Sequence, residues 1–259
     1  MSVSRGKFLK SLGKSIPGLV LGGGVATAAQ TLLGRMAAGA AREASGPAAK
    51  EPMTKIAKVD FITRGPSAGH QVALTFDDGP TPGVTDLILD ALKQRQLRAT
   101  FFMVGNRLAS APDLARRVRA EGHEVGNHTF THAKLNALPD GEAVREIQKT
   151  QDLMGELLNH RPAWFRPPYG ALRRNQVPMI QAAGLEVVLW EVDSGDWSQP
   201  GDDPIAETVL KGTRPGSIIL CHDLHRQTAD AVPRVLDGLL DRGFTFSTVS
   251  GLMRKPGRD

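Results

Sequence analysis

The sequence contains a single cysteine, Cys221, in 259 residues. One cysteine excludes an intramolecular disulfide, so the domain must be stabilised by its hydrophobic core. Because Cys221 ends the apolar run at 218–221, we expect it to be a small buried hydrophobe. The chain also lacks a Gly-x-Ser-x-Gly elbow, and it has no Cys/His pair at the spacing seen in known cysteine-nucleophile families. Both absences argue against a serine or cysteine nucleophile.

The excess of basic over acidic residues is confined to the first 50 residues. Those residues hold seven of the 32 Lys and Arg and one of the 27 acidic residues, which leaves 25 basic and 26 acidic residues in the rest. The isoelectric point of ≈ 9.6 therefore reflects the N-terminal segment rather than a basic binding face. We expect no nucleic-acid partner, and no obligate protein partner is evident.

The first 40 residues have the layout of an export signal. Four basic residues precede an uncharged stretch at 15–34, and Ala-Gly-Ala at 38–40 resembles a cleavage site. The uncharged stretch could span a bilayer, but three consecutive glycines weaken it as a membrane helix. We expect 1–40 to be an export signal or weak membrane anchor, 41–69 a linker and 70–255 the catalytic domain. The protein would be exported to the periplasm, cell envelope or medium, and an uncleaved leader would be its sole membrane contact.

From residue 71 onward, short apolar runs alternate with helical segments. Strands are predicted at 72–76, 99–104, 123–126, 163–166, 186–192, 217–221 and 244–249. Helices are predicted near 84–95, 107–121, 140–158, 173–183, 203–211 and 229–242, the third capped by Asp140. This alternation predicts parallel strands with crossover helices, either in a barrel or in an open doubly wound sheet.

Titratable residues follow five of the predicted strands. They lie at 77–78 (Asp-Asp), 127–132 (Asn-His-Thr-Phe-Thr-His), 166–170 (Arg-Pro-Pro-Tyr-Gly), 193–197 (Asp-Ser-Gly-Asp-Trp) and 222–223 (His-Asp). Loops that follow parallel strands gather on one face, where active sites lie. An isolated Asp-Asp-Gly-Pro would be an ordinary acidic turn, but the coincidence over five loops predicts a site.

Two histidines and an aspartate predict a catalytic metal centre. His128 and His132 are four residues apart, so on a helical turn both imidazoles would face the same way. With Asp78 they leave coordination positions open, and a bound cation would relieve the repulsion between Asp78 and Asp77. Asp77 could then act as general base on a metal-activated water. Zinc suits this ligand set, while cobalt, nickel or manganese fits comparable geometry.

The later loops supply a candidate acid and an oxyanion site. His222 can protonate a leaving group, and either Asp193 or Asp196 can hold it in one tautomer. Arg166 can orient the base, and the rigid prolines after it leave the amide of Tyr169 as an oxyanion donor. Trp197 could be an exposed stacking platform, whereas Trp164 and Trp190 are expected in the core. The remaining histidines are expected to be structural or solvent-facing: His70, His123, His160 and His225.

Six motifs occur in order across residues 70–250. They lie at 75–80 (Thr-Phe-Asp-Asp-Gly-Pro), 99–102 (Ala-Thr-Phe-Phe), 128–132, 166–170, 193–197 and 220–223 (Leu-Cys-His-Asp). Together they resemble the polysaccharide deacetylase family, the NodB-homology domain of carbohydrate esterase family 4. The resemblance implies a distorted (β/α)7 barrel, an α/β fold with a single catalytic domain. It also implies removal of N-acetyl groups from GlcNAc-containing polysaccharide, either peptidoglycan or chitin-like oligomers.

The resemblance implies a role for each matching residue. Asp77 matches the catalytic base, and His222 matches the acid, tethered by Asp196. Arg166 and the amide of Tyr169 match further catalytic positions. The metal ligands would be Asp78, His128 and His132, and the substrate-binding residues Trp197, Leu220 and Pro168. None of these positions departs from the family pattern.

Two other functions stay open. The same site could act on O-acetyl esters such as acetylated xylan, because an ester has a better leaving group and needs less help from His222. A non-catalytic glycan-binding protein on this fold would use Trp197 and a groove, although the intact acid, base and ligand set weighs against it. The polymer, the native metal and the oligomeric state are left open.

Overall fold

The computed structural model describes residues 61–66 and 69–254. The predicted leader at 1–40 and most of the linker at 41–69 lie outside the described residues. Two residues of that linker nevertheless pair with the sheet, because Ile62 bridges Val188 and Arg64 bridges Ser217. The folded domain thus begins before residue 70. Within the described ranges, no helix is both long and apolar enough to cross a membrane.

Strands and helices alternate along the described chain. The strands are β1 (Gln71–Asp77), β2 (Thr100–Met103), β3 (Glu124–Asn127), β4 (Trp164–Phe165), β5 (Glu186–Val187), β6 (Val192–Asp193), β7 (Ile218–His222) and β8 (Thr245–Ser247). The helices are α1 (Thr85–Gln94), α2 (Gly105–Ser110), α3 (Pro112–Ala120), α4 (Asp140–Leu158), α5 (Val177–Ala182), α6 (Asp202–Gly212), α7 (Arg226–Asp241) and α8 (Val249–Met253). Short 3-10 turns lie at Leu135–Ala137, Pro168–Gly170, Arg174–Gln176 and Asp196–Ser198.

The strands form a parallel sheet that closes on itself. Its order is β5-β4-β3-β2-β1-β7-β6, and β8 pairs with the first residues of β1. β5 pairs with β4, whereas β6, from the same chain segment at 186–193, pairs with β7. That interrupted segment therefore joins the two ends of the sheet. Counted as one strand, it completes a distorted barrel of seven, which confirms the (β/α)7 fold and excludes the open sheet.

The interruption at 186–193 corrects the prediction of one continuous strand, and it has a local cause. The amide of Leu189 donates to the carbonyl of Ile62 at 2.7 Å, and its carbonyl accepts from Arg166 at 3.0 Å. Both backbone groups of Leu189 are thus used away from the β4 and β7 ladders. Ile62, which lies outside the predicted domain, and Arg166, a candidate site residue, thus both fix the backbone of this part of the barrel.

One helix, one helix cap and one strand also differ from the predictions. The single helix predicted at 107–121 is α2 and α3, separated at Ala111 because a residue before proline disfavours helical geometry. α4 has the predicted bounds, but Asp140 does not cap it, since its carboxylate accepts from Arg173 at 2.5 Å instead. The last predicted strand ends early, and the Thr248 side chain accepts from the Gly251 amide to begin α8.

The strand register brings the predicted loops together. Asp77 at the end of β1 pairs with Phe102 of β2 and with His222 of β7. Along β1, Val72, Leu74 and Phe76 pack into the cluster beneath the outer helices. Alternate side chains of a strand point to opposite faces, so Thr75 and Asp77 face the barrel interior. The carboxyl ends of the strands meet at one edge, where the site lies.

Candidate active site

The residues predicted from five loops meet in one cavity of ≈ 420 Å³ at the carboxyl ends of the strands. Its wall consists of Asp77, Asp78, His128, His132, Tyr169, Trp190, Asp193, Trp197, Leu220, His222, Leu224 and His225. Three predicted site residues do not line the wall, because Arg166, Asp196 and Pro168 are buried behind it. The cavity thus separates residues that can touch a substrate from residues that can only support others.

Asp77, the last residue of β1, and Asp78, which follows it, contact different partners. Asp77 is the last strand residue and its side chain lies in the barrel interior. Asp78 has a φ of 80°, which takes it out of the strand geometry and turns its carboxylate toward the two histidines. Neighbouring carboxylates can therefore serve separate roles, as the position of the strand end suggested.

Asp77 is held by a fully buried arginine. Arg166 donates from Nη1 to Oδ1 of Asp77 at 2.7 Å and to Oγ1 of Thr75 at 2.7 Å. Its guanidinium also lies 4.2 Å from the ring centroid of Phe102. Burial lowers the pKa of Arg166, and the charge and hydrogen bond of Asp77 oppose that shift. Removing either partner would leave the other as an isolated buried charge, which is strongly unfavourable.

Asp78, His128 and His132 form a compact cluster of possible metal ligands. One ligand atom from each lies within 4.8 Å of the other two. Oδ1 of Asp78 is 3.3 Å from Nε2 of His128 and 3.0 Å from Nε2 of His132. Burial acts to raise the pKa of Asp78, but the close approach of His128 and His132 holds it far below its usual value.

The surroundings of His128 identify the tautomer that suits a metal. Nδ1 of His128 lies 2.6 Å from the carbonyl oxygen of Arg166. A carbonyl can only accept, so Nδ1 carries a proton, and in the neutral imidazole that binds a metal Nε2 presents its lone pair toward Asp78. Oδ1 of Asp78 is buried without a hydrogen-bond partner of acceptable geometry among the described residues. A lone pair facing an orphaned carboxylate oxygen fits a divalent cation between them.

The loop that carries the histidines is not the helical turn that the spacing suggested. Residues 128–132 contain bends rather than helix. Thr129 and His132 have φ values of 65° and 61°. Each non-glycine residue in this left-handed region costs about 1–3 kcal/mol. The two imidazole centroids lie 5.1 Å apart because of this strained loop, not because of helical periodicity.

His222, at the end of β7, has a buried carboxylate partner. Nδ1 of His222 lies 2.7 Å from Oδ1 of Asp196, whose Oδ2 accepts from the His222 amide and from Thr228. The structure therefore places Asp196 rather than Asp193 against the imidazole. Burial acts to lower the pKa of His222, but Asp196, followed by the aspartates of β1, raises it to about 9.

The turn after Arg166 contains the amide predicted to be an oxyanion donor, that of Tyr169. Tyr169 has a φ of 60°, and the amides of Gly170 and Ala171 donate within the turn to Pro167 and Pro168. The described residues supply no backbone acceptor for the amide of Tyr169. Pro168, predicted to contact substrate, is buried at the start of this turn and is not among the residues that line the cavity.

The rim of the cavity is aromatic and partly exposed. Tyr169 is 68% and Trp197 62% exposed, which leaves two large apolar faces in solvent. Trp190 and His225 also line the cavity, although the sequence placed the first in the core and the second among structural residues. Loop positions without motif spacing gave no signal for these contacts.

Asp223 is a further buried carboxylate that the sequence contained without a role. Its Oδ2 accepts from Oγ1 of Thr85 at 2.6 Å, and a Cβ built on Gly79 would overlap its carboxylate. Burial, then the nearby Asp78 charge, raises the pKa of Asp223 to about 7. Gly79 is therefore needed for the close approach of the turn after Asp78 to β7.

A parallel α/β barrel that gathers a carboxylate–histidine cluster, a buried Asp–Arg pair and a His–Asp pair in one cavity has the parts of a metal-dependent hydrolase. Residues 64–188 match the family model described as polysaccharide deacetylase. The chain is 39% identical to a chitooligosaccharide deacetylase of Rhizobium leguminosarum, over 75% of this chain and 96% of that protein. The chain belongs to the polysaccharide deacetylase family, as its motifs predicted.

The names of two further relatives give peptidoglycan as the polymer that they deacetylate. The peptidoglycan-N-acetylglucosamine deacetylase of Bacillus cereus is 35% identical over 78% of this chain and 75% of its own length. The peptidoglycan-N-acetylmuramic acid deacetylase PdaC of Bacillus subtilis is 40% identical over 70% of this chain. Only 38% of PdaC is covered by the match. The PdaC structure superimposes with a TM-score of 0.68 over 72% of this chain and 91% of the solved one.

Proposed function

We propose that this protein is a metal-dependent hydrolase that removes N-acetyl groups from GlcNAc-containing polysaccharide. The observation that carries the proposal is the placement of a possible metal cluster, Asp77 and His222 in one cavity. Each group has a separate partner, so the cluster, the base and the acid can act without competing for one another. Family membership supports the same chemistry.

Asp78, His128 and His132 would hold the metal. When bound, a divalent cation there would polarise the acetyl carbonyl and acidify a water molecule. Two imidazoles and one carboxylate suit zinc, and cobalt, nickel or manganese would be accepted by similar geometry. The buried Oδ1 of Asp78 and the Nε2 lone pair of His128 support this assignment.

Asp77 would take a proton from the attacking water. Arg166 occupies its Oδ1, while Oδ2 lies 3.8 Å from Nε2 of His128 on the side of the cluster. The ion pair keeps the carboxylate fixed in orientation, and the free oxygen faces the place where water and acetyl group would meet. A base positioned in this way contributes about 10²–10⁴ to the rate.

His222 would give a proton to the leaving nitrogen. Its Nδ1 is tied to Asp196, which leaves Nε2 for the substrate, and its raised pKa keeps it protonated at neutral pH. An amide nitrogen is a poor leaving group until it is protonated, so a charged imidazole in the same cavity as Asp77 is the partner this reaction needs. The amide of Tyr169 would donate to the oxyanion of the tetrahedral intermediate.

The substrate would be an N-acetylated glycan outside the cell. The named substrates of the relatives are peptidoglycan and chitooligosaccharide, and the exposed Trp197 gives sugar rings a stacking face. The leader-like composition of residues 1–40 supports export, either cleaved or with the leader retained as a membrane anchor.

Acetate release with and without metal tests the proposal. Chelator-treated and zinc-loaded protein would be incubated with chitopentaose, peptidoglycan and acetylated xylan. We expect release from at least one N-acetylated glycan, loss with chelator and recovery with zinc. Faster release from acetylxylan than from either N-acetylated polymer would favour the O-acetyl esterase alternative. Glycan binding without release from any substrate by zinc-loaded protein would contradict the proposal and favour a binding protein.

A further inference from the structure

We propose that Glu146 on α4 is a positioning residue for the metal centre, because its carboxylate clamps the backbone of the loop that presents His128 and His132. Oε2 of Glu146 accepts from the amide of Phe130 at 3.0 Å and from the amide of Thr131 at 2.8 Å. The same oxygen accepts from Oγ1 of Thr131 at 3.0 Å. The inference rests on the metal centre of the proposed function.

The clamped loop needs external support. It leaves β3 at Asn127 and reaches His132 through two non-glycine residues in the left-handed region, Thr129 and His132. Residues in this conformation persist only where surrounding contacts over-determine them. A loop that relaxed at either position would rotate the imidazole of His132 away from Asp78, which it now approaches to 3.0 Å.

The other anchors of the loop act at its first half. Oδ1 of Asn127 accepts from the amide of Thr129 at 3.0 Å. The amides of Gly105 and Asn106, at the start of α2, donate to the carbonyls of Thr129 and Phe130 at 2.9 Å each. These contacts leave the amides of residues 130 and 131, next to His132, for the carboxylate of Glu146. An ionised acceptor makes the stronger hydrogen bond to an amide.

α4 is suited to hold this carboxylate in place. Ile147, beside Glu146, is buried, and its carbonyl accepts from Nδ2 of Asn127 at 2.9 Å. Lys149, three residues beyond Glu146, lies 3.5 Å above the Phe130 ring. The helix therefore contacts the loop through both backbone and side chains, and Glu146 does not touch the substrate cavity. Its effect on the reaction would pass through His132.

The test measures metal affinity separately from activity and from folding. Wild type, Glu146→Ala, Glu146→Gln and the control Glu156→Gln would be stripped of metal. Zinc binding would be measured by competition with a chromophoric chelator, and cobalt absorption spectra would report ligand geometry. Glu156 is exposed on the same helix and does not contact the loop. Melting of the metal-free proteins would show which variants are folded.

We expect Glu146→Ala to weaken zinc binding roughly tenfold or more and to change the cobalt spectrum. Glu146→Gln keeps one oxygen acceptor without the charge, so its affinity should lie between those of Glu146→Ala and wild type. Glu156→Gln should match wild type. Zinc affinity within twofold of wild type in both folded Glu146 variants would overturn the inference while leaving the proposed function intact. A wild type that binds no divalent metal would instead overturn the proposed function.

Discussion

The floor and the rim of the cavity are built in different ways. The floor consists of Asp77, Asp78, His128 and His222, with the fully buried Arg166 and Asp196 behind them. Fixed partners hold Asp77, His128 and His222. On the rim, the side chains of Tyr169 and Trp197 are mostly in solvent. The floor holds the groups that would move protons, whereas the rim offers apolar surface.

This difference assigns chemistry and recognition to separate layers. A buried group with a fixed partner needs no reorganisation when a substrate arrives, which is the condition for electrostatic stabilisation of a transition state. An exposed aromatic face can accept sugar rings in several orientations. Changes in the floor should therefore lower kcat, and changes in the rim should alter KM.

Asp77→Asn should have the largest effect. Asparagine keeps the shape and an oxygen for Arg166 but cannot take a proton, so we expect kcat to fall about 10²- to 10⁴-fold. The metal content should stay near that of wild type, because the ligands would be Asp78, His128 and His132. Acetate release and metal analysis on the same preparation check both statements.

Two results would break this prediction in different ways. Full activity in Asp77→Asn would remove Asp77 from the role of base. Loss of metal together with activity would mean that Asp77 belongs to the ligand set, and the division between the two aspartates would fail. A thermal melt of the metal-loaded variant controls for damage to the buried pair with Arg166.

The floor could be predicted from the sequence because its residues follow strands. In a parallel barrel, residues after strands converge whatever the lengths of the intervening helices, so ordered motifs were enough to select Asp77, Asp78 and His222. The choice between Asp193 and Asp196 could not be made in this way. Asp196 reaches His222 through the turn Asp196–Ser198, which follows Gly195 at a φ of 71°.

Asp196→Asn tests the second pair of the floor and should have an intermediate effect. Asp196 is a main cause of the raised pKa of His222, about 9, so its neutralisation should lower that pKa. The proposed acid must be protonated to act, so the alkaline limb of kcat against pH should move to lower pH. Because the imidazole itself remains, we expect a loss at neutral pH of roughly 10- to 100-fold.

The same pair gives a pH dependence of stability with a definite sign. The pKa of His222 is higher in the folded state than its ordinary value of 6.5, so its ionised form is favoured by folding. The stabilisation is complete below about pH 6.5 and is lost as pH rises through about 9. Asp196→Asn should flatten this part of the curve of unfolding free energy against pH.

The kinetic prediction for the same variant has its own contrary outcome. If kcat of Asp196→Asn depends on pH as that of wild type does, His222 is not the acid.

The rim could not be predicted in the same way, because its contacts depend on loop shape. Trp190 lines the cavity since the strand around it is interrupted, and that interruption depends on Ile62, outside the predicted domain. His225 precedes α7 in a segment without motif spacing. Composition and periodicity report burial and secondary structure, but they do not report which loop side chain faces a cavity.

Trp197→Ala should have the smallest effect on the kinetic constants, and it tests most directly whether the floor and the rim of the cavity have separate roles. Loss of an exposed stacking face should raise KM about 3- to 10-fold and leave kcat within twofold, because the Trp197 side chain is mostly in solvent and an indole takes no part in the proposed proton transfers. Leu240→Ala, at an exposed apolar residue on α7 away from the cavity, is the matched control and should change neither constant. Steady-state kinetics on chitopentaose separates the two constants. A fall in kcat at unchanged KM would mean that the rim orients the acetyl group for reaction, and the division of the cavity into two independent layers would then be wrong.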